Sequence, residues 1–238
     1  MKKILTLILL ILPLFSLAQQ ETVRYYQKID HKPFHFGYTL GINTMDFGIY
    51  HSEYALEEDV YPEINQLSPG IDISIVTNFR LGEYLDFRIL PGISLGQRNL
   101  TYYENVSPDP DSVKAFHEMN LGSTFINLPF NLRYEAEREK NYRPYLIGGV
   151  NFRWDMARNK DFDADEGIYV KLEPFDVYVE GGFGVDFYLP YFKLSTEIKF
   201  SVGTMNVLSP DKEENNPEYV LSIDKLKSRM VSLSFHFE

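Results

Sequence analysis

The side chains in this sequence that could do chemistry are scattered. Its histidines are His31, His35, His51, His117 and His236. Acyl transfer needs a histidine beside a serine and an acid, and proteolysis needs an aspartate and a histidine converging on one bond. His31 and His35 precede or begin the first strand-like stretch and His236 lies in the last, so only His51 and His117 fall toward loops. His117-Glu118 is half of such a constellation, with no partner of motif character. The run Asp161-Phe162-Asp163-Ala164-Asp165-Glu166-Gly167 places acids at alternate positions, as a calcium loop opens. Its glycine comes one position late, and Leu172 stands where the closing bidentate Glu belongs. Asp161, Asp163 and Asp165 therefore read as an ordinary acidic loop, and no metal or cofactor is expected. The absence of cysteine removes thiolate metal sites, a cysteine nucleophile, disulfides and, at Gln19, the lipid-bearing cysteine of a lipoprotein.

A second set of reactive groups follows a rule. Asp72, Ser74, Asn78, Asp86, Arg88, Arg98, Asn127, Asn131, Arg133, Asp176, Glu180, Asp186, Lys193, Glu197 and Lys199 all sit on one phase of stretches that alternate with a period of two. Phe192-Lys193-Leu194-Ser195-Thr196-Glu197-Ile198-Lys199-Phe200-Ser201-Val202 is the clearest: one face is apolar or Thr, the other Lys, Ser and Glu. The pattern recurs at Phe36 to Asn43, Ile71 to Phe79, Leu85 to Leu95, Ile126 to Tyr134, Tyr145 to Trp154, Phe175 to Phe187 and Met230 to Phe237. That makes about eight strands.

Alternation alone suits a soluble sandwich as well as a membrane barrel. Connection lengths separate the two. Arg80 to Glu83, Glu135 to Tyr142 and Leu189 to Tyr191 are short; Tyr50 to Leu67, Tyr103 to Ser123, Asp155 to Pro174 and Gly203 to Lys227 are long. Strict alternation of short and long predicts an all-β, antiparallel up-and-down transmembrane barrel with short periplasmic turns and long acidic outer loops. An even strand count puts both termini in the periplasm. Glycines at 37, 41, 92, 96, 148, 149, 181, 182 and 184 mark bulges or curvature. Tyr84, Tyr134, Tyr142, Tyr188 and Tyr191 fall where an interfacial girdle would lie.

The ends agree with export. Met1-Lys2-Lys3, an apolar stretch and Ser16-Leu17-Ala18 form a signal peptide over residues 1–18, cleaved after Ala18; the stretch is short for an uncleaved anchor. Residues 19–33 form a periplasmic segment and 34–238 the barrel domain. With 34 acidic against 23 basic residues, a net charge of −11 argues against a nucleic-acid partner. The ending Phe235-His236-Phe237-Glu238 resembles the signal read by outer-membrane assembly machinery, with Phe235 and Phe237 as its aromatic positions, and a plain edge-closing strand would look the same.

Three stretches carry a family likeness. His35 to Phe47, Arg88-Ile89-Leu90-Pro91-Gly92-Ile93-Ser94-Leu95-Gly96-Gln97-Arg98-Asn99-Leu100 and Asn127-Leu128-Pro129-Phe130-Asn131-Leu132-Arg133-Tyr134, followed by Arg143-Pro144-Tyr145-Leu146-Ile147-Gly148-Gly149-Val150, resemble the PorT family of Bacteroidetes outer-membrane barrels, called SprT in gliding bacteria. Asn43-Thr44-Met45-Asp46-Phe47 and Gly96-Gln97-Arg98 are nearest to that branch. The resemblance implies a component required by type IX secretion, and by gliding motility where present, with no catalytic residues to carry over. Its partners would be outer-membrane lipid, the barrel assembly machinery and other type IX components. A barrel this narrow is filled by its own side chains, so Asp86, Arg88, Arg98, Arg133, Glu180, Lys193, Glu197 and Lys199 are expected to form compensating pairs in the lumen. The alternatives are a small structural or adhesive barrel whose acidic loops bind extracellular partners, and a lipid or peptide hydrolase, which the missing site disfavours.

Overall fold

The computed structural model describes residue 25 and residues 32–57, 60–64, 67–105, 113–158, 168–211 and 217–238. The signal peptide and the acidic run at 161–165 lie outside these residues. Ten strands run β1 Phe34–His51, β2 Val60–Glu63, β3 Pro69–Arg80, β4 Leu85–Ile89, β5 Gly92–Asn105, β6 Val113–Glu135, β7 Tyr142–Asp155, β8 Phe175–Tyr188, β9 Lys193–Gly203 and β10 Ile223–Phe237. Two short helices, α1 Glu53–Glu57 and α2 Glu218–Leu221, lie in long connections.

Ten strands make eight staves. Pro91 lacks the N–H a ladder needs, so the stretch expected as one strand from Leu85 to Leu95 divides into β4 and β5. Both halves keep one register against β3 and β6. Among the described residues the short β2 pairs with the end of β5, at Thr101 to Glu104. Every remaining strand is antiparallel to its neighbour in sequence, and β1 pairs with both β3 and β10, which closes the cylinder.

The register fixes its dimensions. Thr44 on β1 faces Val231, and the partners continue through Phe200, Gly181, Gly148, Leu132, Phe87 and Phe79 to Phe34, back on β1. One circuit thus returns ten residues from its start, from 44 to 34. Ten residues at about 3.3 Å each, set against eight spacings of about 4.8 Å, tilt the strands by about 40° and give a backbone radius of about 8 Å.

The two faces of the wall exchange character along its height. On β1 the outward residues run Phe36, Tyr38, Leu40 and Ile42, then Asp46 and Gly48; the inward ones run His35, Thr39 and Asn43, then Met45 and Phe47. On β10 the outward Lys225, Lys227 and Arg229 give way to Val231, Leu233 and Phe235, while inward Leu226 and Met230 give way to Ser232, Ser234 and His236. On β6, Met119 and Leu121 point in above, Asn131 and Arg133 below. At about 2.5 Å of height per tilted residue, the apolar-outward belt from Phe34 to Thr44 is about 25 Å tall, the thickness an outer-membrane barrel presents to lipid. Above it the molecule behaves as a soluble protein with its oil inside.

This inversion explains why the strands outrun their expected limits. β6 begins at Val113 rather than Ile126, and β10 at Ile223 rather than Met230. The girdle reading holds in part: Tyr84, Tyr134, Tyr142 and Tyr191 are exposed beside the short turns, but Tyr188 points inward, is buried, and carries the Arg138 guanidinium 3.6 Å above its ring. Register shifts fall between Tyr50 and His51 and between Tyr102 and Tyr103, not at the glycines expected to bulge. Gly184 instead makes room: a Cβ there would stand 2.4 Å from the Tyr145 ring and hydroxyl.

Arginine placed at Phe183, mid-belt on β8, should cost about 2–4 kcal/mol and lower the temperature at which the barrel loses its compact gel mobility. The same arginine at Glu118, outward but above the belt, should leave that temperature unchanged. Equal shifts at both positions would contradict the belt's placement.

Candidate functional site: the filled lumen

Alternation sends one side chain in two from every stave into a cylinder only wide enough to be filled. At the end near the short turns the interior is almost wholly charged. Arg88 on β4 donates from Nη2 to Glu238 Oε1 at 2.6 Å and from Nε to Asn78 Oδ1 at 3.1 Å. Lys193 pairs with the same Glu238, and His35 Nε2 lies 2.6 Å from Glu238 Oε2. Arg133 pairs with Asp186, lies 3.1 Å from Glu135, and stacks 3.6 Å over the Tyr145 ring. Arg143 Nη1 meets Glu135 Oε2 at 2.5 Å, and Asn78 donates to Asp86 at 2.6 Å.

The middle layer is built around two glutamates. Glu180 accepts from Arg153 at 3.0 Å, Asn151 at 2.8 Å and Ser201 at 3.1 Å, with Lys199 Nζ at 3.1 Å. Glu197 accepts from the Tyr145 hydroxyl at 3.0 Å and lies 3.4 Å from His236 Nε2 and 3.9 Å from both Arg88 and Lys199. The His236 ring is fixed on its other side by Thr39 Oγ1, 2.7 Å from Nδ1. Beside this layer a cavity of about 40 Å³ is lined by Thr39, Asp72, Ser74, Ser94, Asn127 and Lys199. That is room for two or three waters and nothing larger.

The top of the network is Arg98. It donates to Asp155 at 2.7 Å and to Ser123 and Ser228, while Phe47 and Phe125 place their rings 4.6 and 5.1 Å from its guanidinium. Above it the lumen turns apolar. Phe47, Leu100, Tyr102, Met119 and Leu121 from the wall pack against Val170, Leu172, Val207, Tyr219 and Leu226 from the long connections and the start of β10. Tyr102 donates its hydroxyl to the Tyr219 carbonyl at 2.8 Å, and burial in this cap pushes its pKa up. Ser52 N–H donates to the Ser222 carbonyl at 3.1 Å, tying α2 across to the end of β1.

All eight charges expected in the lumen, Asp86, Arg88, Arg98, Arg133, Glu180, Lys193, Glu197 and Lys199, point inward and have partners. Asp72 accepts from Asn43 at 2.8 Å at the cavity edge. The network also uses His35, Glu135, Arg143, Arg153, Asp155, His236 and Glu238, which sequence reasoning did not assign. Parity could have found most of them, since Glu135, Asp155 and Glu238 stand two residues beyond inward Arg133, Arg153 and His236. Phe235 and Phe237 face outward; Phe237 stacks on Tyr38 across the β1–β10 seam with centroids 4.9 Å apart. Of the other histidines, His51 contacts the Pro62 carbonyl and His117 packs with Tyr169 and Tyr219. Among the described residues no group of three or more acids, histidines or cysteines is arranged to hold a metal.

No curated protein matches the sequence. Among solved structures, Neisserial surface protein A is similar at 10% identity and TM-score 0.43, over 86% of this chain and 98% of that one. The outer membrane protein OprG of Pseudomonas aeruginosa is similar at 12% identity and TM-score 0.46, over 85% and 93%. The sequence also matches, over residues 17–209, the family described as outer membrane protein beta-barrel domain. With a closed wall of eight staves, an apolar belt of membrane height and that match over most of its length, the chain belongs to this outer-membrane β-barrel family.

Proposed function

We propose that this chain is a non-conducting accessory barrel of the type IX secretion system, acting in assembly or anchoring beside a larger conduit. The observation that carries the non-conducting part is the filled lumen: among the described residues a paired charge network below and an apolar cap above occupy it, with small cavities of about 40 and 20 Å³ beside the charges. The type IX part rests on the likeness to the PorT family in Asn43-Thr44-Met45-Asp46-Phe47 and Gly96-Gln97-Arg98. In this reading the protein does no catalysis. Its signal peptide directs export, Phe235 and Phe237 present the assembly signal, both termini lie in the periplasm, and its partners are outer-membrane lipid, the barrel assembly machinery and other type IX components. Gliding would depend on it in species that glide.

Three measurements test this. Purified protein in planar bilayers should show no steady ionic conductance; stable open steps would remove the plug. Arg88→Gln leaves Glu238 and Glu197 short of a buried cation, at a cost on the order of 3 kcal/mol, so the heat-induced loss of compact gel mobility should come at a lower temperature. Unchanged mobility would count against a structural network. Deletion of the gene should strand export cargo in the periplasm, and normal surface delivery of all cargo would sink the secretion role.

A further inference from the structure

One patch on the outside of the wall departs from the acidic character of the outer end. Lys225, Lys227 and Arg229 occupy alternate, outward positions of β10, immediately above the residue where the apolar belt begins at Val231. Alternate residues on one face stand about 7 Å apart along a strand. With the strand tilted by about 40°, Arg229 lies about 5 Å above Val231, within the headgroup layer, and Lys227 about 10 Å above it, just past that layer but with a side chain long enough to reach back into it. The adjoining strand supplies Tyr50 opposite Lys225, Gly48 opposite Lys227 and Asp46 opposite Arg229. Tyr50 is exposed beside the lysines.

The patch is shaped as well as charged. The Arg229 side chain lies flat over Gly48, where a Cβ would stand 2.9 Å from its Nε and Nη2. Glycine at 48 thus lets the guanidinium lie along the wall. Two acids adjoin the three cations. Asp224 pairs with Lys225 at 3.4 Å, both exposed. Asp46 faces Arg229 in register and turns one oxygen to its own neighbour, accepting from Phe47 N–H at 2.6 Å. Lys227 and Arg229 make no ion pair among the described residues. A guanidinium and an ammonium at headgroup depth, on a surface whose lower edge is lipid, match a phosphate that is itself anchored in the membrane.

We propose that the outer rim of the β1–β10 seam docks the phosphate-bearing headgroup of an outer-leaflet lipid, with Lys227 and Arg229 as the principal contacts and Lys225 and Tyr50 at the margin. This rests on the reading that the long connections face outward. The test uses the full mature protein in zwitterionic detergent, with a diphosphorylated lipid A as probe and native mass spectrometry as readout. Wild type should retain the probe, and Lys225→Gln/Lys227→Gln/Arg229→Gln should lose about ten- to a hundredfold of that affinity with unchanged heat-shifted gel mobility. Equal retention by the variant, equal retention of the same lipid stripped of its phosphates, or displacement by an equal concentration of inorganic phosphate would each overturn the proposal. Orientation is checked separately by labelling Asp211→Cys on intact cells with an impermeant maleimide. Labelling together with failed lipid binding would sink the docking site alone, whereas no labelling would sink the outward reading.

Discussion

The structure depends on one constraint: a cylinder about 8 Å in backbone radius, standing in lipid, leaves its inward charges no bulk water to fall back on. Each must be matched by a side chain that the wall's geometry places opposite it. Arg88, Lys193 and His35 come from three different staves, β4, β9 and β1, and meet on the side chain of Glu238, just past β10. Closing the wall and completing the network are therefore one event, because the residue that satisfies Arg88 directly follows the strand that pairs with β1. Taking these ions out of water is costly, and their mutual attraction offsets that cost only while every partner is in place.

The same wall solves two solvent problems. Within the belt the environment outside is oil and the interior is polar; above it water lies outside and the interior is Phe47, Leu100, Tyr102, Met119 and Leu121. Arg98 stands at the crossing, with carboxylate and hydroxyl partners on one side of its guanidinium and two aromatic rings against it. A delocalised cation suits that position because its plane stacks on rings while its edge donates hydrogen bonds. Water has two different barriers to cross, one of paired ions and one of packed apolar side chains.

The belt was legible in the sequence because its alternation is strong: apolar residues meet lipid on one side, and Ser, Asn and charged residues fill the other. All eight staves were visible by that signal. Their upper ends were not, because beyond the belt the phases exchange roles, and a strand such as β6 passes from outward Ile126 to outward Asn120 and Glu118 without leaving the sheet. Reading those polar residues as loop placed the start of β6 thirteen residues late. The same cause hid part of the network. Glu135, Arg143 and Asp155 lie at strand ends, where composition suggests a turn and only parity shows which way the side chain points. The partners of each charge were beyond reach, since they depend on the ten-residue offset of the circuit, which no single strand encodes.

That offset raises the question of what selects it. The belt cannot: sliding β10 by two residues along β1 keeps every apolar side chain outward and every polar one inward. The ion pairs can. With β10 still in register with β9, such a slide at the seam would carry His236 about 7 Å from Thr39 and Glu238 by the same distance from His35 and, beyond it, Arg88, leaving buried charges unmatched across the seam. Oil against lipid thus decides which face of each strand points out, and the charges inside decide which residue stands opposite which. The second choice sets tilt, radius and the width of the lumen, so the network that fills the barrel is also what fixes the barrel it fills.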